Sequence, residues 1–374
     1  MNQAMDLFSE NVYDAWLASA CIPPDLLRQL IGMYGDSARC FTAFDEKDPL
    51  FCQIIPARFL GLLAQNGTEN SMRRMESMIT KYAIRVIRFN DQEYPSALNM
   101  IEQPPAILFY QGNLQCLQNR ILAMVGSRAA SYAGQKAARK LSAELSRQGV
   151  SIVSGLACGI DASAHQGCIE GGSATIAVTA CGLDTVYPRD NTPLRDQILN
   201  NNGLVLTEYA PGEKPAGWHF PVRNRLITAL GQALILIEAR IRSGSMTSVH
   251  HALDQGKDVF VYPGDPLSEQ YEGNHQLLRE GGIYFTSAED VLRDMHWLDN
   301  HTAIRQNSDC CTETVQGSAE QSCVINALKP GCLSFEQLLD KTGMDVPDLM
   351  STLTILQISG QIESLPGKQY QLKH

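Results

Sequence analysis

Between residues 121 and 290 one pattern recurs: a short apolar run, a Gly-containing polar loop, then an amphipathic stretch. The runs are ILAMV (121–125), VSIVS (150–154), ATIAVTA (174–180), GLVLTEY (203–209), ALILIEA (233–239) and DVFVYPG (258–264). Runs this short and this continuously apolar read as strands buried on both faces, and helical stretches between them make a parallel sheet with crossover connections. Between the first two runs Ala137, Leu141 and Leu145 fall on one helical face, with Ser131 placed to cap the start and Gly149 to end it. The expectation is an α/β chain built on a Rossmann-like, doubly wound parallel sheet.

The flanks are of different character. Residues 1–80 hold apolar pairs such as Leu26-Leu27, Leu30-Ile31 and Leu62-Leu63, interrupted by Pro23-Pro24, and predict a small helical, SAM-like domain. Pro95, Pro104 and Pro105 exclude long helices from the next stretch, so strands and turns lead there into the sheet, and the central domain is taken as 81–295. A polar stretch over 296–317 reads as a linker. Over 318–374, Ser334 and Gln337 frame a capping box, Asp345 or Pro347 opens a second helix, and Pro366-Gly367 turns a hairpin, giving a winged helix-turn-helix.

Several classes of function are disfavoured by composition. No run of about 18 apolar residues occurs and no basic leader precedes one, so a membrane span and export are not expected and a cytoplasmic setting is. Eleven cysteines lack CxxC or Cys/His zinc spacing and read as reduced thiols, with no metal site. Neither GxxxxGK[ST] nor a GxGxxG after a strand is present, which disfavours ATP hydrolysis and dinucleotide chemistry; no cofactor is expected. No Ser-His-Asp or paired-carboxylate pattern stands out, so the chain is expected not to be an enzyme.

In a doubly wound sheet ligands bind beyond the carboxyl ends of the strands. The loops there are Gly126-Ser127-Arg128, then Gly155 to Asp161 with Gly159, then Cys181 to Arg189, then Lys214 through Phe220-Pro221-Val222-Arg223-Asn224-Arg225, and Arg240 to Ser245 with Arg242, Ser243 and Gly244. The chain carries a net charge of −10, awkward for a phosphate binder. Residues 121–290 nevertheless place seven of their 14 Lys+Arg in those loops: Arg128, Arg189, Lys214, Arg223, Arg225, Arg240 and Arg242. Charge focused at one sheet edge, with small residues and helix starts, suits phosphates. Tyr132, Tyr187, Tyr209, Trp218 and Phe220 accompany it, and aromatic faces among arginines suit single strands. The competing interpretation pairs the arginines with Glu208 and Glu238 as a structural network.

VGSR (125–128), SGLACGID (154–161), CGLDTVYPRDN (181–191), FPVRNR (220–225), IEARIRSGSMTS (237–248) and YPGDP (262–266), in this order, resemble the DprA/Smf family of DNA-processing proteins. The resemblance implies a homodimer that binds single-stranded DNA through a basic pocket, protects it and promotes RecA loading in DNA uptake and recombination. It carries Arg128, Arg189, Arg223, Arg225 and Arg242 over as DNA contacts; Gly126, Ser127, Gly155, Gly159, Lys214, Phe220, Asn224, Ser243 and Gly244 complete the candidate DNA-binding set. Departures stand at Thr179-Ala180-Cys181, at Ser248 to His251 and at His275.

Two other readings are weighed. A nucleotide phosphoribohydrolase of the LOG type shares the fold but needs PGGxGTxxE after the fifth strand, where RSGSMTSVH stands. A transcription regulator would read bases with the helix near 347–359, which has no Lys or Arg.

Overall fold

A computed structural model describes residues 7–298, 319–328, 332–358, 362–365 and 369–372. Contacts divide the chain into one unit through Leu298 and a second from Asp299; the 296–317 linker falls almost wholly outside the described residues.

Six helices come first: α1 Glu10–Ala18, α2 Pro24–Tyr34, α3 Ser37–Asp45, α4 Pro49–Ile54, α5 Ala57–Asn66 and α6 Glu69–Lys81. Pro24 and Pro49 sit in first turns, where a missing N–H costs nothing, and the Asp36 and Asp48 side chains accept from the first-turn N–H groups of Arg39 and Leu50. Trp16, Tyr13 and Phe51 fill the interior of this layer. That interior continues into the sheet: Leu17, Leu27 and Leu63 belong to one apolar cluster with Ile107, Phe109, Ala177 and Val205. The helices of 1–80 therefore bury their apolar faces on the sheet as well as on one another.

The sheet follows, with β1 Arg85–Arg88, β2 Ile107–Gly112, β3 Arg120–Val125, α7 Tyr132–Arg147, β4 Val150–Ser154, α8 Ile160–Gly171, β5 Thr175–Val178, α9 Thr192–Asn200, β6 Leu204–Thr207, α10 His219–Leu230, β7 Leu234–Leu236, α11 Gly244–Asp254, β8 Val259–Val261, α12 Glu272–Arg279, β9 Ile283–Tyr284 and α13 Ala288–Asp294. Each of the six apolar runs of the sequence holds one strand. The order is β1-β2-β6-β5-β4-β3-β7-β8-β9. β1–β2 and β2–β6 pair antiparallel and the remaining neighbours parallel. The proline-rich lead-in thus supplies the two outermost strands on one side of the main sheet, with β1 at its edge.

Alternation along β3 shows how both faces are covered. Leu122 and Met124 pack with Leu141 and Leu145 of α7 and Val291 of α13, whereas Ile121, Ala123 and Val125 pack with Leu226 of α10 and Val249 of α11. Ser131 caps α7 by accepting from Gly134 N, and the chain leaves α7 through Gly149 at φ +77°.

In the second unit α14 Ala319–Leu328, β10 Leu333–Ser334, α15 Phe335–Thr342, α16 Val346–Ile358, β11 Ile362–Leu365 and β12 Gln369–Leu372 form a winged-helix unit. Ser334 and Gln337 make the expected capping box, and Gly343 ends α15 in the left-handed conformation. Val324, Leu338, Leu349, Leu353 and Ile362 form its core; the Pro366-Gly367 turn lies outside the described residues. Among the described residues no helix is long and apolar enough to cross a membrane.

Candidate nucleic-acid interface

The strand order reverses between β3 and β7, because successive strands run outward from β3 on one side and from β7 on the other. Crossover loops part at such a point and leave a crevice at the carboxyl edge. A cavity of 600 Å³ lies there, walled by Gly126, Ser127 and Arg128 after β3, by Ala157 and Asp161 beyond β4, by Phe220, Arg223, Asn224 and Ile227 of α10, and by Ser243, Gly244 and Ser245 at the start of α11. Tyr187, Pro215 and Gly217 complete the rim.

The rim carries one exposed cation on an aromatic step. The Arg128 guanidinium carbon sits 4.5 Å from the Phe220 ring centroid, and the Phe220 and Tyr187 rings lie 5.5 Å apart at 55°. Arg128 is exposed and makes no ion pair among the described residues, so its charge faces a ligand there. Cation–π attraction holds the guanidinium over the ring without consuming its N–H donors.

The floor carries a second, buried cation. Arg223 is 3 % exposed. Its Nη1 donates to Gly155 O at 2.7 Å and also to Val178 O, and its Nε donates to Asn224 Oδ1 at 3.2 Å. Burial pushes its pKa down to about 10, opposed by the attraction of Asp161, so it stays charged at neutral pH. Burial likewise raises the Asp161 carboxyl, against Arg223 and the Ala157 N–H that stabilise its anion. Gly155 is what lets Arg223 lie across the strand end: a Cβ there would meet the guanidinium Nη2 at 2.5 Å. Gly159, at φ +77°, leaves the carbonyls of Ser127 and Arg128 room to pack against the start of α8, whose Ile160 N donates to Ser127 O at 3.2 Å.

Ser243 precedes α11 but makes no side-chain cap, and its buried Oγ has no partner. An unpaired hydroxyl at a helix start is chemistry that can receive an anion.

The candidate residues do not all converge. Gly126, Ser127, Arg128, Phe220, Arg223, Asn224, Ser243 and Gly244 wall the cavity, while Gly155 and Gly159 support it from behind. Arg189, Lys214 and Arg242 are exposed but lie outside the cavity walls. Arg225 faces the other side of α10, 7 % exposed, with Nη2 2.5 Å from Glu208 Oε2. The network interpretation thus describes Arg225, whereas Glu238 is held by Ser131 N and Oγ and pairs with no arginine among the described residues. FPVRNR, expected as loop, is the first turns of α10; Pro221 is accommodated because the opening N–H groups of a helix need no partner.

Asp161, Tyr187, Ser245 and Ser248 also wall the cavity without having been singled out as contacts. The signal available for Asp161 was an acidic residue in the first turn of a helix entered through Gly159. Among the described residues no group of three His, Cys, Asp or Glu is placed to hold a metal ion.

Comparison with known proteins agrees with this architecture. The family model for DNA recombination-mediator protein A matches residues 85–296, and that for the DprA winged helix domain matches residues 312–368. The chain is 45 % identical over 207 residues to DNA processing protein DprA of Streptococcus pneumoniae, covering 55 % of this chain and 73 % of that one. It is 31 % identical over 292 residues to Protein Smf of Escherichia coli, covering 77 % of each. The X-ray structure of the Streptococcus pneumoniae protein superimposes with a TM-score of 0.65 at 34 % identity, over 77 % of this chain and 98 % of that one. A structure of DNA processing protein A from Helicobacter pylori, described for its unique single-stranded DNA binding mode, gives a TM-score of 0.52 at 29 % identity, over 57 % of this chain and 95 % of that one. With one family model spanning more than half the chain and a second matching its winged helix, this protein belongs to the DprA/Smf family of DNA recombination-mediator proteins.

Proposed function

We propose that the chain binds single-stranded DNA without sequence preference in the cavity between β3 and β7, protects the strand, and passes it to RecA during DNA uptake and recombination. The observation that carries the binding step is the rim: an unpaired Arg128 stacked on Phe220, with Tyr187 beside it, above the buried charge of Arg223. Phosphates meet two guanidinium groups and a helix start, while bases meet ring faces, which are indifferent to base identity. The Helicobacter pylori relative, described for its single-stranded DNA binding, supports the same ligand here.

Transfer to RecA and a homodimeric state rest on family membership. We take the site to act by binding and not by turnover, because Asp161 is the one carboxylate among the wall residues and its own anion is disfavoured by burial, leaving no acid/base pair. The test is a titration of labelled single-stranded and duplex DNA, with an assay for nucleotide hydrolysis alongside. Binding that favours the single strand, without turnover, is expected; release of ribose phosphate or free base at enzymic rates would overturn it in favour of the phosphoribohydrolase reading.

A further inference from the structure

The first turns of α10 separate two cavities. Phe220, Arg223, Asn224 and Ile227 face the one just described, and Trp218, Val222 and Arg225, at spacings of four and three residues, face a second of 270 Å³. Its remaining walls are mostly apolar: Ile22, Pro24 and Leu27 from the N-terminal helices, and Pro105 to Ile107 from the lead-in to the sheet.

Glu208 and Arg225 provide the polar wall. Their side chains are 12 % and 9 % exposed and share one contact, Nη2 to Oε2 at 2.5 Å. The rest of their capacity is unused: Glu208 Oε1 and Arg225 Nε and Nη1 are buried and have no hydrogen-bond partner. The unpartnered acceptor and donors belong to the two polar side chains of this wall, in a slot whose other walls are mostly apolar. A free anion would meet the Glu208 carboxylate and a free cation the Arg225 guanidinium. The complementary ligand is a neutral, flat ring with an N–H donor beside an acceptor on one edge. Every nucleobase has such an edge, and proteins read unstacked bases by that edge while stacking an aromatic ring on the face. Trp218, at the mouth and 58 % exposed, offers that ring.

We propose that this second cavity is a base pocket, which rests on the single-strand reading: a strand held by its phosphates at Arg128 turns one base over the first turn of α10, onto Trp218 and against Glu208 and Arg225. Two cavities sharing one helical turn let adjacent nucleotides occupy both. The shared chemistry is the base, so its source, a strand or a free nucleotide, is a matter for the test.

Trp218 is one of three tryptophans in the chain, and its emission can be assigned with Trp218→Phe. The experiment records that emission and the anisotropy of labelled oligothymidylate in the full chain and in Val222→Phe, a partly exposed position where a larger ring fills the cavity while leaving the first cavity's walls untouched. The expected result is quenching of Trp218 by the oligomer, absent in Trp218→Phe. Val222→Phe should bind roughly 5- to 150-fold more weakly, the loss of one stacked base, with an unchanged salt slope. Anisotropy that reports tight binding with no change in Trp218 emission, or full affinity in Val222→Phe, overturns the base pocket and leaves single-strand binding standing. Quenching by thymidine monophosphate that the oligomer does not compete away overturns the strand as occupant. No binding by anisotropy at all defeats the single-strand reading itself.

Discussion

Replacing Arg128 by Ala separates a binding role from a structural one, because the environment of Arg128 is the opposite of that of Arg225. Arg128 is exposed, stacked on Phe220 and without an ion pair, so its removal from the folded protein should change stability by less than about 0.5 kcal/mol. On DNA it should cost about 1–2 kcal/mol, the value of a charge-assisted phosphate contact reduced for exposure, or roughly a 5- to 30-fold rise in Kd. Each phosphate neutralised on a single strand contributes about −0.7 to the slope of log affinity against log salt, so the variant's slope should flatten by about 0.7. Between 50 and 200 mM salt its affinity should therefore fall about 2.5-fold less than that of the parent. Arg225→Met is the comparison for stability only, read by melting and not by affinity. It strands Glu208 in a site where burial already disfavours its anion, and should cost about 3–5 kcal/mol, on the order of 5–15 °C in Tm. Fluorescence anisotropy across a salt series, with calorimetric melting of the same preparations, reads both quantities. An unchanged salt slope in folded Arg128→Ala would exclude Arg128 as a phosphate contact.

Three further outcomes follow from particular contacts. Gly155→Ala should displace the Arg223 guanidinium from the carbonyls of Gly155 and Val178, lowering stability by about 1–3 kcal/mol and weakening DNA binding together, whereas Ala at Gly149, with open space around it and φ +77°, should affect stability alone; comparing Tm and Kd for the pair checks this. His165 is buried with its pKa lowered to about 3, chiefly by burial and further by Arg223, so the folded state binds fewer protons than the unfolded one below pH 6.5; stability should fall with acid by up to about 1.4 kcal/mol per pH unit between 6.5 and 3, and urea melts against pH should show a shallower fall in His165→Gln. Deleting 318–374 should leave single-strand affinity within a few-fold, since residues 318–374 hold 4 Lys+Arg against 6 Asp+Glu; a hundredfold loss in a folded truncation, measured by gel shift, would assign binding to the winged-helix unit.

What could be read from the sequence was local in origin. Apolar runs, Ser131 before α7 and Ser334 with Gln337 before α15 each act within a few residues, so strands and caps appear where they were expected. Contacts distant along the chain were not legible. Nothing in 1–80 announces that Leu17 and Leu63 share a core with Phe109 and Val205, since an amphipathic helix does not identify the surface it covers. The site divides in the same way. FPVRNR marks a functional segment, but which arginine serves the cavity depends on helical phase: two residues apart, Arg223 and Arg225 point about 200° around the axis from each other, one to Gly155 O and the other to Glu208. Placing the segment among the loops beyond the strand ends concealed that phase. Charge counting had the same limit, because it scored Arg189, Lys214 and Arg242 alongside Arg128 although they do not wall the cavity.

The most direct test of single-strand binding between β3 and β7 is photo-crosslinking of an iodouracil-containing single strand, followed by peptide mapping. The exposed Tyr187 and the half-buried Phe220 form the aromatic step of the cavity, so crosslinked nucleotide is predicted on peptides containing one or both. Crosslinks confined to the winged-helix unit, with Tyr187 and Phe220 unmodified in protein that binds the strand, would contradict the account.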